Sequence, residues 1–321
     1  MQMSWHHIKK EKRQEDLARD LYEVSFPGRF IIQWKLAAYF FSRPIRSFFT
    51  ARYLRRRISG DVLNFIDRFL WGDGGFYRAY AYSSCDHFEK LQGSRLLVAG
   101  AGYGGNILQL AAFRPAEIVA FDPVSFPEEW AQVSDEAKRR FGVPVRFITG
   151  TFDAVSRKFG LFDAVLSDAV LMYVKNPRDF IKSSYEFLKP GGLFYASVGF
   201  PWFGPRGDTL PWRGKEIYNH LLLDGSAYEA RAREVLGALP DSSQEYFISL
   251  LAEKPFSFFR IEEYFSSLAD AGFIKESVFI QIDPDAVSLL EGEESIARAL
   301  DDRRVPRLDR YARGVAVWMR K

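Results

Sequence analysis

The sequence predicts an α/β protein: a seven-stranded, mostly parallel sheet with helices on both faces. Between about Phe76 and Gly199 short apolar runs alternate with longer amphipathic stretches, the pattern of strand–helix–strand units with right-handed crossovers. A glycine-rich turn, Gly100 to Gly105, separates the first apolar run from a helical pattern. An acid, Asp122, closes the second run.

The five strands expected in this stretch are Arg95–Ala99, Glu117–Phe121, Val145–Ile148, Asp163–Ser167 and Leu193–Val198. The helical patterns between them are Asn106–Phe113, Glu128–Phe141 and Pro177–Leu188. The rhythm then breaks. Pro201, Gly204, Pro205, Gly207 and Pro211 mark a long loop, and a helical pattern runs from Trp212 to Leu239. An excursion of this length inside a domain reads as a lid. The alternation resumes with a helix at Ile261–Ala271, a strand at Glu276–Ile282, a helix near Ala286–Leu300 and a last strand at Gly314–Met319. Upstream of the Trp71–Gly75 punctuation the chain reads as helices with aromatic and arginine faces. The expected division is a basic helical extension over 1–75, the α/β domain over 76–199 and 256–321, and an inserted lid over 200–255.

Composition narrows the functional classes. With 47% apolar and 26% charged residues, the chain builds a sizeable core without staples. Its one cysteine, Cys85, makes no internal disulfide and no cysteine-based metal cluster. No metal site is expected, and a reducing, cytoplasmic setting is. Met1–Asp20 is polar and charged, unlike a secretory leader. The longest apolar stretch, Phe30–Phe41, is broken by Gln33 and Lys35 and falls short of the roughly 20 residues a membrane span needs.

The glycines of the turn let the chain reverse tightly and a ligand approach its backbone. Asp122 lies twenty-two residues beyond Gly100, where an acid accepts ribose hydroxyls. The turn alone reads equally as a plain strand-to-helix connection. With the acid it indicates an adenosine-containing ligand, either a dinucleotide or S-adenosylmethionine. No lysine follows the glycines, which argues against a nucleoside triphosphate.

Downstream, Phe162–Gly192 reads FDAVLSDAVLMYVKNPRDFIKSSYEFLKPGG. With Gly100–Gly104 and Asp122 before it, this resembles the class I, Rossmann-like S-adenosylmethionine-dependent methyltransferases over about Tyr77–Gly199. The resemblance implies that Gly100, Ala101, Gly102 and Gly104 shape the cofactor turn. It also implies that Asp122, with Pro123 beside it, grips the ribose, and that Thr151 and Phe152 lie at the adenine. Two positions depart from the family: Val98 and Thr151 stand where it often has acids. Tyr77, Arg78 or Tyr80 are candidates to close over the methionyl end. Asp168 is read as a methionyl or acceptor contact, or equally as a helix cap for the segment after it.

A hydroxyl acceptor benefits from a base. His220, in the excursion, is one candidate, with a packing histidine as the equal alternative, and Asp168 is another. Trp202, Arg206, Asp208, Trp212 and Tyr218 are candidate acceptor contacts; for Trp202, Trp212 and Tyr218 hinge packing is the competing reading, favoured for Trp212. This region is similar to inserts in methyltransferases of bacterial surface-polysaccharide clusters. That similarity implies a sugar or glycan hydroxyl, with a small natural product or lipid as the alternative. A dehydrogenase and a catalytically silent binding module are the readings of other classes.

Between Val24 and Gly60 there are eight basic residues and no acid, interleaved with aromatics such as Phe40, Phe41, Phe48 and Phe49. This stretch reads as a peripheral contact with anionic lipid at the inner membrane surface, as a cradle for an anionic acceptor, or as a solvated face packed on the domain or on a second subunit. Nucleic acid is disfavoured: Asp168–Leu171 lacks the Pro-Pro-aromatic signature of amino-methylating enzymes, and no RNA-binding module is recognisable.

Overall fold

The computed structural model describes residues 5–8, 90–155, 159–210, 212, 214–237, 248, 253 and 256–321. The expected basic stretch, Cys85, Tyr77, Arg78 and Tyr80 lie outside them. In chain order the strands are β1 (Trp5–Ile8), β2 (Arg95–Ala99), β3 (Glu117–Asp122), β4 (Val145–Thr149), β5 (Phe162–Ser167), β6 (Leu188–Gly199), β7 (Ile274–Ile282) and β8 (Ala312–Arg320). They form one sheet in the order β1-β7-β8-β6-β5-β2-β3-β4. Strands β2 to β6 are parallel, β8 runs against β6 and β7, and β1 runs against β7. All seven expected strands are present. The eighth, β1, corrects the reading of the first 75 residues as wholly helical: Trp5–Ile8 pairs along β7, from Trp5 opposite Gln281 to Ile8 opposite Val278.

Helices α1 (Gly105–Ala111) and α2 (Pro127–Phe141) cover one face of the sheet; α3 (Pro177–Phe187) and α6 (Ile261–Asp270) cover the other. Their boundaries follow local chemistry. Pro127 and Pro177 sit at first helical positions, where no N–H is needed. Gly142 ends α2 in the left-handed conformation. Strand β6 begins at Leu188, earlier than expected, because the Lys-Pro-Gly-Gly run is absorbed as an irregularity in the pairing with β5.

The largest difference from expectation is the lid. The long helical pattern over 212–239 resolves into a 3-10 turn (Gly214–Tyr218), α4 (Asn219–Leu222) and α5 (Gly225–Gly237). Asp224 restarts the helix by accepting the Ala227 N–H at 2.9 Å. The single helix expected near Ala286–Leu300 is two, α7 (Pro284–Gly292) and α8 (Glu294–Asp302), broken at Gly292–Glu293 and followed by the short α9 (Arg307–Tyr311). Their apolar residues pack with those of 210–236: Trp212, Tyr218 and Leu236 meet Ala286, Leu300 and Val305 in one core. The excursion is therefore half of a helical cap, and the segment between β7 and β8 supplies the other half.

Candidate functional site

The glycine turn leaves β2 where the strand order switches, with β3 on one side and β5 on the other. In an open parallel sheet that position forms the ligand crevice. Gly100 has φ +84°, and a Cβ there would lie 2.2 Å from Val170 Cγ2, so the loop after β5 presses against the turn. Gly104, at φ +91°, is backed by Phe147 and Val133. Gly102 is different: φ is +49° and a Cβ would meet nothing within 4 Å. Its outer side is open for a ligand to lie against the backbone.

Asp122 ends β3 beside this opening. Its Oδ2 accepts the Gly102 N–H at 2.9 Å and its Oδ1 the Val124 N–H at 2.9 Å. A carboxylate oxygen accepts more than one bond, so lone pairs remain for two ribose hydroxyls. The Gly150 N–H donates to the Asp122 carbonyl at 2.8 Å, which places exposed Thr151 beside the same opening. Phe152 lies inward, its ring 4.8 Å from that of Phe121 and 5.0 Å from that of Phe180. Pro123 is exposed next to Asp122, Ala101 is buried behind the turn, and Val98 is buried in the sheet. An open glycine, an adjacent strand-end carboxylate and a third strand end beside them fit an adenosine-bearing cofactor.

Asp168 follows β5. Its Oδ1 accepts from the Ser197 hydroxyl at 2.5 Å and from the Tyr195 hydroxyl at 3.2 Å, both on β6. Burial pushes its carboxyl up to about 6, against the lowering effect of those two bonds. Ala169, next in sequence, holds a left-handed φ of +55°, a strained state for a residue with a Cβ. Its N–H donates to Ser197 Oγ at 2.8 Å. The capping alternative for Asp168 is not observed: its carboxylate is turned to β6.

The cap claims most of the expected acceptor contacts. Arg206 bonds Asp283 at 2.5 Å, Asp285 at 2.7 Å and the Trp212 carbonyl at 3.0 Å. Asp208 is 1% exposed and accepts from Trp212 Nε1 and the Tyr228 hydroxyl, each at 2.7 Å. Trp212 and Tyr218 are fully buried, and the Tyr218 hydroxyl donates to the Arg310 carbonyl. These four residues make their contacts within the cap, in line with the packing reading favoured for Trp212. His220 is engaged there as well. Its Nε2 pairs with the Trp202 carbonyl at 2.8 Å, and burial lowers its pKa against the raising effect of Asp208 and the Trp202 and Gly204 carbonyls. All these partners belong to the cap.

Trp202 is half-buried, with its ring 5.2 Å from Phe256 and 4.8 Å from the exposed Phe258. Phe256 lies 6.0 Å from Tyr173 in the turn after β5. Sequence reasoning missed Tyr195 and Ser197, although strand alternation puts both on one face of β6 beside the end of β5. It also missed Trp130, whose indole N–H donates to the Gly102 carbonyl at 2.8 Å; no motif marks that position. Among the described residues no group of three or more His, Cys, Asp or Glu is arranged to hold a metal ion, and no helix is long and apolar enough to cross a membrane.

Residues 97–196, which run from β2 to β6 and contain both the glycine turn and Asp168, match the family described as "Methyltransferase domain". The part of the sheet that carries the glycine turn and both strand-end acids is thus similar to that family. The chain is 32% identical over 110 residues to a ubiquinone biosynthesis O-methyltransferase from Methylocella silvestris, covering 34% of this chain and 41% of that protein. It is 29% identical over 146 residues to a protein of the same name from Ruegeria pomeroyi, covering 46% and 50%. The match thus spans half or less of the length of these curated relatives. Among solved structures, the S-adenosylmethionine dependent methyltransferase from Mesorhizobium loti aligns at TM-score 0.43 and 17% identity, covering 72% of this chain and 92% of that one. The cyclopropane synthase MmaA2 from Mycobacterium tuberculosis aligns at TM-score 0.45 and 17% identity, covering 74% and 82%.

Proposed function

We propose that this chain transfers a methyl group from S-adenosylmethionine to a hydroxyl oxygen of a small, largely apolar acceptor, and that Asp168 takes the proton the oxygen loses. The observation that carries this reading is the carboxyl of Asp168. It stands after β5, two residues before the valine that presses on Gly100, and it is held by Ser197 and Tyr195.

The turn Gly100, Ala101, Gly102 and Gly104 holds the cofactor, Asp122 takes its ribose, and Pro123, Thr151 and Phe152 flank its adenine. When bound, the cofactor supplies a methyl group already activated on sulfur. With its pKa at about 6, Asp168 is mostly ionised at neutral pH yet basic enough to accept a proton, the condition for an effective general base. Its bonds to Ser197 and Tyr195 fix the orientation of the carboxylate, and the aromatic group of Tyr173, Trp202, Phe256 and Phe258 keeps water from the acceptor side.

Two observations support a small apolar acceptor over a glycan. The polar residues that a sugar would need, Arg206 and Asp208, are engaged within the cap. The side chains left around Trp202 are aromatic. The names of the relatives, O-methyltransferases of ubiquinone biosynthesis, support oxygen as the methylated atom. The Val24–Gly60 stretch is proposed to meet anionic lipid; sedimentation of the protein with anionic but not neutral vesicles checks this.

Label transfer from S-adenosylmethionine, methyl-labelled, to a panel of phenols, enols and sugars tests the reading. Methylated phenols or enols are expected. Asp168→Asn should lower turnover at least about a hundredfold while S-adenosylhomocysteine still binds. Methylation confined to sugars, or undiminished turnover in the variant, would refute it.

A further inference from the structure

We infer that Trp130 is a cofactor-positioning residue, the indole of which locks the glycine turn in the shape that receives adenosine. The inference rests on the proposed cofactor site and extends it to a residue that no motif marks.

Gly102 is bonded through both of its backbone polar groups. Its N–H donates to Asp122 Oδ2 at 2.9 Å, and its carbonyl accepts from Trp130 Nε1 at 2.8 Å. The apex of the turn is therefore held from both ends, by the proposed ribose acid and by a tryptophan on the first turns of α2. Glycine at this point has the widest choice of backbone conformations, so two fixed partners remove more freedom here than they would elsewhere. With the carbonyl drawn to the indole, the N–H stays on Asp122, and the carboxylate presents its remaining lone pairs toward the open side.

The indole is itself held. It is 6% exposed and stacks on Phe147 of β4, with centroids 4.9 Å apart and planes at 6°. Phe147 also backs Gly104, whose added Cβ would lie 3.1 Å from its ring. Phe126 closes the other side, 6.1 Å from Trp130 and 4.2 Å from Tyr103 within the turn. An aromatic shelf thus runs from β4 through α2 to the glycines. A hydrogen bond from a rigid, nearly inaccessible donor costs little further entropy to keep, and its value is spent on loop geometry.

The role predicts that removing only the N–H weakens cofactor affinity without unfolding the protein. Trp130→Phe keeps a ring for the stack and loses the donor. By calorimetry, S-adenosylhomocysteine should bind this variant about 5- to 20-fold more weakly than wild type, with the melting temperature within a few degrees. Binding should also change tryptophan emission in the wild type and change it less in the variant. Phe147→Leu loosens the shelf but keeps the N–H, so it should weaken binding by a smaller factor, and it serves if Trp130→Phe does not fold. Asp122→Ala is the reference, weakened by about 5- to 100-fold. If wild type binds and Asp122→Ala is weakened, but Trp130→Phe or a folded Phe147→Leu binds as wild type does, the inference on Trp130 falls and the site stands. If wild type does not bind S-adenosylhomocysteine at all, the cofactor reading falls first.

Discussion

Ser197 ties three things together with one oxygen. It accepts the N–H of the strained Ala169, donates to Asp168, and does both from the end of β6. Burial raises the pKa of Asp168 and its two bonds hold the rise to about 6, so removing one of them lets it climb further. The base works only when ionised. Activity of the wild type should therefore rise with pH through a midpoint near 6, and Ser197→Ala should move that midpoint upward. A pH profile of kcat/KM checks this, with S-adenosylhomocysteine affinity unchanged in the variant. A midpoint that stays in place would separate Ser197 from the proton chemistry. Ser197→Thr, which keeps the hydroxyl, should restore the wild-type profile.

At the scale of elements, the turn after β2 depends on glycines for different reasons. At Gly100 an added methyl would strike Val170 at 2.2 Å in a backbone state that side chains resist. Gly100→Ala should cost about 2–4 kcal/mol of stability and displace the loop that carries Asp168; a urea titration reads the loss and an activity assay the displacement. The glycines, the acid and the seven strands were legible in the sequence because each has a period, a spacing or a conformational demand that only a few residues meet. The cap was not. Its two halves, 200–237 and 283–311, are separated by α6 and β7, and a helical pattern does not say which distant apolar face will cover it. For the same reason His220 and Tyr218 read equally well as chemistry or packing; in the fold Trp212 and Tyr218 pack with residues of the other half, Arg206 pairs with Asp283 across it, and Asp208 and His220 bond within their own half. Asp168 was visible as a strand-end acid, while its partners on β6 became visible only once β5 and β6 were neighbours.

Across the whole molecule, the cap is stitched to the sheet at α9 and the start of β8. Gly204 fits closely against the carbonyls of Ala312 and Asp309, and the Tyr218 hydroxyl reaches the Arg310 carbonyl. Asp309 sits at this seam, fully buried, and accepts the Ile261 N–H at 3.1 Å at the start of α6. Burial pushes its carboxyl up to about 7; nearby Glu262 adds to the rise, while the Ile261 N–H and Arg260 oppose it. In the unfolded chain the same group ionises near its ordinary value of 3.8, so between pH 4 and 7 the folded state binds the extra proton. Stability conferred by the neutral acid is then present below pH 4 and lost as pH rises through 7. Asp309→Asn keeps an acceptor for Ile261 and carries no charge. Its melting temperature should exceed that of the wild type at pH 8 and show no such gain at pH 4; equal gains at both would exclude the linkage. The order of the sheet has a consequence for synthesis. Strand β8 lies between β6 and β7, so these two earlier strands have no common partner until β8, which follows both in the chain, arrives to bridge them. A nascent chain halted before Ala312 would present two open ribbon edges and half of a helical core with no seal, a species inviting chaperones or aggregation.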